Sequence, residues 1–277
     1  MSVINTNTAA LRAQNGSRVA NASLQTAMER LSSGKRINSA KDDAAGLAIA
    51  SKMTSQIRGM NQAIRNSNDG ISFSQTAEGA LGEVTNMLQR IRELAVQSAN
   101  GTYGTSDRTN LNSEVTELKA QITNILATAE FNGTRIFNSN ASGGTYAAAS
   151  GAIAIQTGVN SGDTVSISFN SLADLAAATA VDTVANAGTA LGNVDTALTN
   201  VNATRAKLGA AQSRLESTVN NLTSNVTNLS DARSRSEDAD FAQETSNLAR
   251  AQILSQASTA MLAQANQSQQ NVLSLLR

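Results

Sequence analysis

Met53–Ala95 reads MTSQIRGMNQAIRNSNDGISFSQTAEGALGEVTNMLQRIRELA. Within it, Ile57, Met60, Ile64, Ser67, Ile71, Ser74, Ala77, Leu81, Val84, Leu88, Ile91 and Ala95 follow one another at steps of three and four. Held over about six heptads, that spacing is a coiled-coil seam. The chain has no proline to break it. It predicts one helix from about Ala44 to Ser98, roughly 80 Å long at ~1.5 Å per residue. Gly59, Gly70, Gly79 and Gly82 weaken that helix locally. Asp42 and Asp43 mark its start by capping, and Asn100-Gly101 its stop, where a left-handed cap forms easily.

Outward from this stretch the same period recurs twice. After Ser106-Asp107, the residues Leu111, Val115, Leu118, Ile122 and Ile125 define a second helix, expected to end at Asn132-Gly133. Leu191, Val194, Leu198, Val201, Leu208, Leu215, Val219, Leu222, Val226 and Leu229 define a third, with Arg205 and Gln212 at two seam positions. The short link between the first two makes them antiparallel, and three such stripes bury one another in a bundle. Between the second and third helices the period falls to two, at Ile153-Ala-Ile155 and Val165-Ser-Ile167-Ser-Phe169, with Gly158, Asn160 and Gly162 between them. That predicts a β-hairpin region within about 131–175. Residues 139–150, rich in Gly, Ser, Ala and Asn, read as exposed loop.

The two ends resemble each other. Ile4, Leu11, Val19, Leu24, Met28 and Leu31, followed by Gly34, and then Phe241, Leu248, Leu254, Met261, Val272 and Leu275, lie on Ala-rich, weakly amphipathic helices with no partner nearby in sequence. Their apolar faces are expected to pair with each other. The expected fold is therefore mainly α, an elongated antiparallel long-helix bundle of coiled-coil type. Its discontinuous terminal domain is built from 1–43 and 235–277, and its helical domain with the hairpin from 44–234.

Composition narrows the function. The chain has 277 residues, with 21 Lys and Arg against 21 Asp and Glu, so it lacks the basic surplus of a nucleic-acid binder. Cys, His and Trp are absent. This excludes thiolate nucleophiles, Ser-His pairs, disulfides and His or thiolate zinc ligands. Ala occurs 47 times while aromatic residues make up 3%. Thin helix-on-helix packing suits that supply better than a thick globular core. The opening MSVINTNTAALRAQNGSRVAN lacks the basic start and apolar stretch of a cleavable signal peptide, and no apolar run approaches the ~20 residues of a membrane span. Neither a nucleic-acid nor a membrane partner is expected.

Candidate chemistry is sparse. Gly34-Lys35 looks superficially like a phosphate loop, but Glu29 stands in place of the upstream Gly and Arg36 in place of Ser or Thr. A helix stop followed by a basic turn explains it better. Glu237, Asp238 and Asp240 form the densest acidic cluster without the spacing of a calcium loop. Ser234 with Glu237 reads as a capping box at a helix start. No catalytic residue, metal ligand or cofactor site is expected. A chain made of seams with unsatisfied terminal helices is most economically a subunit completed by copies of itself.

Leu31-Ser-Ser-Gly-Lys-Arg-Ile-Asn-Ser-Ala-Lys-Asp-Asp-Ala-Ala-Gly-Leu47 resembles bacterial flagellin, the subunit of the flagellar filament. The likeness is reinforced by Leu88-Gln-Arg-Ile-Arg-Glu-Leu-Ala-Val-Gln-Ser-Ala-Asn-Gly101, Asp238-Ala-Asp-Phe-Ala242, Met261-Leu-Ala-Gln-Ala-Asn266 and Val272-Leu-Ser-Leu-Leu-Arg277. These motifs cover both terminal regions. The middle, about 137–185, carries none, so the chain resembles the smaller flagellins without large outer domains. The resemblance implies a self-assembling, extracellular filament subunit for swimming motility, exported unfolded by the flagellar type III apparatus without a cleaved signal peptide. It also implies an export chaperone, a filament cap and hook-junction proteins as partners, with host innate immune receptors as outside partners.

The resemblance carries site residues too. Glu29 to Ala50 resemble the peptide sensed by plants, with Glu29 in place of the more usual Gln. Arg90, Leu94 and Glu114 fall in the region engaged by the Toll-like flagellin receptor of animals, and Leu275, Leu276 and Arg277 resemble the tail sensed by cytosolic receptors. Ser236 departs from the family's usual apolar residue. Gln269 stands where a proline is common, which predicts a more continuous final helix. Two alternatives stand beside this reading. One is the hook-filament junction protein, which shares the end motifs; the other is a carboxylate-using hydrolase, motivated only by Glu237, Asp238 and Asp240.

Overall fold

The apolar period of the long seam is realised along one helix. The computed structural model describes residues 6–137, 152–169 and 180–274, the last four by backbone alone. Among these, the elements in chain order are α1 (Thr8–Ser33), α2 (Ala44–Ala99), α3 (Thr105–Thr128), β1 (Glu130–Phe131), β2 (Thr134–Arg135), β3 (Ala152–Gln156), β4 (Thr164–Ser168), α4 (Val184–Glu237) and α5 (Phe241–Ser274). The protein is mainly α, as the seams predict. It divides into two units, residues 1–57 with 227–277 and residues 58–226. The divisions fall inside α2 and α4, because both helices continue without a break through the positions where contacts thin out.

The helix boundaries have local causes. At Gly34 a left-handed residue, φ 70°, ends α1, and its N–H donates to the Arg30 carbonyl at 2.9 Å. Asp43 starts α2 by accepting from the Gly46 N–H at 2.8 Å. Asp107, three residues into α3, accepts from the Gly104 N–H at 3.1 Å. The final helix runs unbroken past Gln269, in agreement with the missing proline.

Two sequence expectations fail, each because a residue pair has more than one structural use. Asn132-Gly133 does not end α3, which stops at Thr128. Asn132 and Gly133 have φ 50° and 73° and form the turn between β1 and β2. Two consecutive positive φ values are what the favoured two-residue hairpin turn requires. Likewise Ser234 and Glu237 do not start a helix; they lie in the last turn of α4. The start of α5 is instead capped by Asp240, which accepts from the N–H groups of Ala242 at 2.9 Å and Gln243 at 3.2 Å.

Within residues 58–226, α2, α3 and α4 share one core. Leu81, Val84, Leu88, Ile91 and Ala95 of α2 are buried against Val115 and Ile122 of α3 and Val194, Val201, Leu208 and Leu215 of α4. Cross-helix pairs fix the directions. Arg90 meets Glu114 on α3, Arg92 meets Asp195 on α4, and Glu78 meets both Arg205 and Gln212 on α4. As the number rises on α2 it falls on α4, so these two run antiparallel, and the short link of residues 100–104 turns α3 back along α2, where Arg90 reaches Glu114. The two polar seam residues of α4 thus share one carboxylate.

The hairpin β3–β4 pairs Ile153 with Ile167 and Ile155 with Val165, as the period-two spacing predicts. It lies on α2. Asn66 Nδ2 donates to the Gln156 carbonyl at 3.1 Å, and two α2 glycines make room for hairpin side chains. A Cβ on Gly59 would sit 2.2 Å from Val159 Cγ1, and one on Gly70 would sit 3.1 Å from both Ile155 Cγ1 and Leu215 Cδ1. Eleven residues span about three helical turns, so both glycines face the same way. Four of the five phenylalanines gather at this end. Phe73 meets Phe131 and Phe169 edge-on at 5.7 and 6.0 Å, and Phe137 meets Phe169 at 5.8 Å.

The glycines supply a contrast. Gly79 has open space where a Cβ would stand, so Gly79→Ala should raise stability by ~0.5–1 kcal/mol through helix propensity, whereas Gly70→Val should lower it by ~1–3 kcal/mol through overpacking. Urea unfolding of both variants checks the pair, and equal effects would remove the proposed close approach. Asp42 gives a pH test. Hydrogen bonds from the backbone N–H of Ser39, then of Asn38, hold its carboxyl below the ordinary value. With the folded value depressed, the turn is supported above about pH 4 and released as pH falls through the lower folded value. The Ser39 amide signal should follow that titration in NMR and lose it in Asp42→Asn.

Candidate assembly surface

The terminal helices α1 and α5 pack against each other within residues 1–57 and 227–277. Their direction is read from paired polar contacts. Asn7 Nδ2 donates to the Ala265 carbonyl at 3.2 Å, Ser255 Oγ donates to Asn21 Oδ1 at 2.9 Å, and Arg30 meets Glu244 at 3.3 Å. The pair is antiparallel. Glu244 is buried and also accepts from Asn247 Nδ2 at 2.9 Å. The buried apolar residues between the helices are small: Ala20 and Ala27 on α1, Ala251 and Ala265 on α5. A Cβ on Gly16 would stand only 3.3 Å from Ser258 Oγ, so the backbones approach closely there.

The larger apolar residues lie elsewhere. Of the expected seam positions, Leu24, Leu31 and Leu248 are half-buried, while Leu11 is 56%, Leu254 51% and Met261 63% exposed. Ile4 and Leu275 lie outside the described residues, as does the side chain of Val272. Val19, Met28, Phe241 and Ile253 add to the exposed set, with Ile253 at 66%. Of these four, Ile253 alone is absent from the apolar positions read from the sequence. Ile253 beside Leu254 was the available sign, since adjacent apolar residues on a helix show that more than one face is apolar. Alanines fill the helix pair and leave the large side chains in water, an arrangement typical of interaction surfaces.

The turns at the foot of this pair are held together. Lys35 and Asp238 form an isolated antiparallel bridge, flanked by Arg36 N–H donating to the Glu237 carbonyl at 2.7 Å and Ala239 N–H donating to the Gly34 carbonyl at 3.0 Å. Lys35 Nζ meets Glu237 Oε1 at 2.5 Å, and an Arg36 guanidinium nitrogen donates to the Ser236 carbonyl at 2.7 Å. Gly34-Lys35 therefore belongs to a helix stop and a clasp. The acidic cluster is divided among separate tasks: Glu237 pairs with Lys35, Asp238 accepts from Ser234 Oγ at 2.5 Å, and Asp240 caps α5.

The second residue set lies on α2 and α3. Arg90 donates to Glu114 at 2.9 Å and to Glu93 at 3.0 Å, and both side chains of the α2–α3 pair are about half exposed. Hydrogen bonding to Glu93, then to Glu114, raises the Arg90 pKa above its ordinary value. Leu94 is different. It is 1% exposed and belongs to the core, so its side chain supports the face from beneath while Arg90 and Glu114 present it. No helix among the described residues is long and apolar enough to cross a membrane.

Comparison with known proteins gives a consistent result. Residues 4–142 match the family model of the bacterial flagellin N-terminal helical region, and residues 191–276 that of the bacterial flagellin C-terminal helical region. Over 170 residues, 61% of this chain, it is 48% identical to the flagellin of Salmonella muenchen, covering 32% of that protein. It is 47% identical over 171 residues to the flagellin of Xenorhabdus nematophila, covering 52% of it, and 48% identical over 169 residues to polar flagellin F of Vibrio parahaemolyticus, covering 42%. The chain thus spans about a third to a half of the length of these curated relatives. The crystal structure of Bacillus cereus flagellin matches with a TM-score of 0.52 and 33% identity, covering 61% of this chain and 94% of that one. With one family model matching half of its residues and a second matching its C-terminal region, the chain belongs to the bacterial flagellin family.

Proposed function

We propose that this protein is a structural subunit of the flagellar filament, without an active site, that polymerises by covering the exposed apolar residues of α1 and α5 with further copies of itself. The supporting observation is the terminal pair, which buries alanines and leaves Leu11, Val19, Met28, Phe241, Ile253, Leu254 and Met261 in water. Equal numbers of positive and negative side chains leave little long-range repulsion between packed copies. In this reading the protein leaves the cell through the flagellar type III apparatus, escorted by an export chaperone, and joins the extracellular filament beneath its cap and beyond the hook-junction proteins. The face around Arg90 and Glu114 is the one offered to innate immune receptors when the subunit is free.

Electron microscopy of the full chain, seeded with short filament fragments, should show long uniform filaments. Rings or unpolymerised monomers with intact helical circular dichroism would overturn the filament role in favour of the junction protein. Ile253→Asp should change single-chain stability by only about 0.5 kcal/mol or less, since the site is exposed. It should nonetheless raise the concentration needed for polymerisation about tenfold or more, because burying such a side chain contributes ~1.5–3 kcal/mol per contact. Unaltered polymerisation would place the interface elsewhere. A chain lacking 1–33 should keep a folded 58–226 unit and form no filament. Receptor-reporter cells exposed to purified monomer should respond, and less so to Arg90→Ala; silence toward the parent protein would remove the receptor assignment.

A further inference from the structure

Arg108 stands in the first turns of α3, yet it is 8% exposed. Among the described residues its guanidinium meets no carboxylate. One nitrogen donates to the Ser98 carbonyl, and the other to the carbonyls of Asn100 at 3.1 Å and Tyr103 at 2.8 Å. Ser98 lies in the last turn of α2 and Asn100 just past it, where carbonyls have no partner within the helix. A cation there also opposes the negative end of the helix dipole. One side chain of α3 therefore completes the end of α2 and fixes the turn between the two. A planar fork reaches three acceptors at once, which the point charge of a lysine does not match.

The contacts continue beyond the turn. Ser98 is fully buried, and its hydroxyl donates to the carbonyl of Val181. Val181, also fully buried, donates its own N–H to Asn112 Oδ1 at 2.9 Å. Asn112 is four residues after Arg108 on α3, one turn along the same face. The circuit closes: Arg108 to Ser98, Ser98 to Val181, Val181 to Asn112, and Asn112 back along α3 to Arg108. Both main-chain polar groups of Val181 are satisfied by it. Three residues later α4 begins, with Ala187 N–H donating to the Thr183 carbonyl at 2.9 Å. The residues that lead into α4 are thus bolted to the end of α2 and the start of α3 by polar contacts in a buried place, where an unpaired group is costly.

We propose that this ring is a conformational interlock. The N-terminal part of α4 docks only against an α2 end already closed by Arg108, so the ends of α2, α3 and α4 open and close as one cooperative block. Without it, α4 frays from its start independently of the α2–α3 turn. Native-state hydrogen exchange reports such blocks directly.

The test uses the full chain and reads the amides of Val181 and Ala187, neither of which Arg108 touches. Arg108→Lys, which keeps the charge, should speed exchange at both by about tenfold or more, the effect of losing a buried hydrogen bond. Asn112→Ala should do the same. In the double variant the acceleration at Ala187 should stay well below the product of the two single effects, because either break opens the same block. A multiplicative result, or an Arg108→Lys effect confined to 98–104, overturns the interlock. If Arg108→Lys loses its helical circular dichroism, Ser98→Ala and Asn112→Ala, singly and together, carry the same test with the same two outcomes.

Discussion

A helix of 56 residues with an apolar stripe along one side is not stable by itself in water, and α2 is such a helix. Its stripe must be covered along its length by segments distant in sequence. Within 58–226 the cover is supplied by α3, α4 and the β3–β4 hairpin, which is why the apolar residues of all four share its period or alternate onto it. The glycines at 59 and 70 are part of the same demand. They weaken the helix locally, and in exchange the hairpin lies close enough for Ile155 to reach the seam.

The two ends of the chain solve the problem differently. Where α2, α3 and α4 meet, Leu, Ile, Val and Phe interdigitate. Where α1 and α5 meet, alanines do, and the large side chains stay outside. An alanine interface brings backbones close but removes little apolar area from water, so a pair built this way gains only part of the stabilisation its composition allows. The remainder is available on contact with another molecule. The part-buried Arg30–Glu244 pair and the Lys35–Glu237 clasp set which helix lies against which, and contribute direction more than energy.

Polar side chains settle the boundaries that apolar period leaves open. Asp43 and Asp240 begin helices, Gly34 ends one, and Arg108 ends another from a different element. Charge has little to do with long-range attraction in a chain with no net charge. It acts over hydrogen-bond distances, at Arg90–Glu114, at Arg92–Asp195 and at Glu78, where Arg205 and Gln212 occupy seam positions that would otherwise be apolar.

The sequence by itself determined what depends on local pattern: the positions and lengths of the long helices, the hairpin pairing, the unbroken final helix and the family motifs. Period and chain breaks are written in neighbouring residues, so they can be read without knowing the partners. Only the tertiary structure decided how ambiguous residues are used. Asn132-Gly133 serves a hairpin turn where a helix end was expected, and Ser234 with Glu237 closes a helix where a start was expected. Leu94 is buried while Leu11, Leu254 and Met261 are exposed, although all four are apolar residues on helices. Nothing in the residues around Arg108 marks it off from a surface arginine; the end of α2 placed against it does. Burial belongs to a pair of surfaces, and a single sequence names the residues on one surface without saying which other surface comes to meet it.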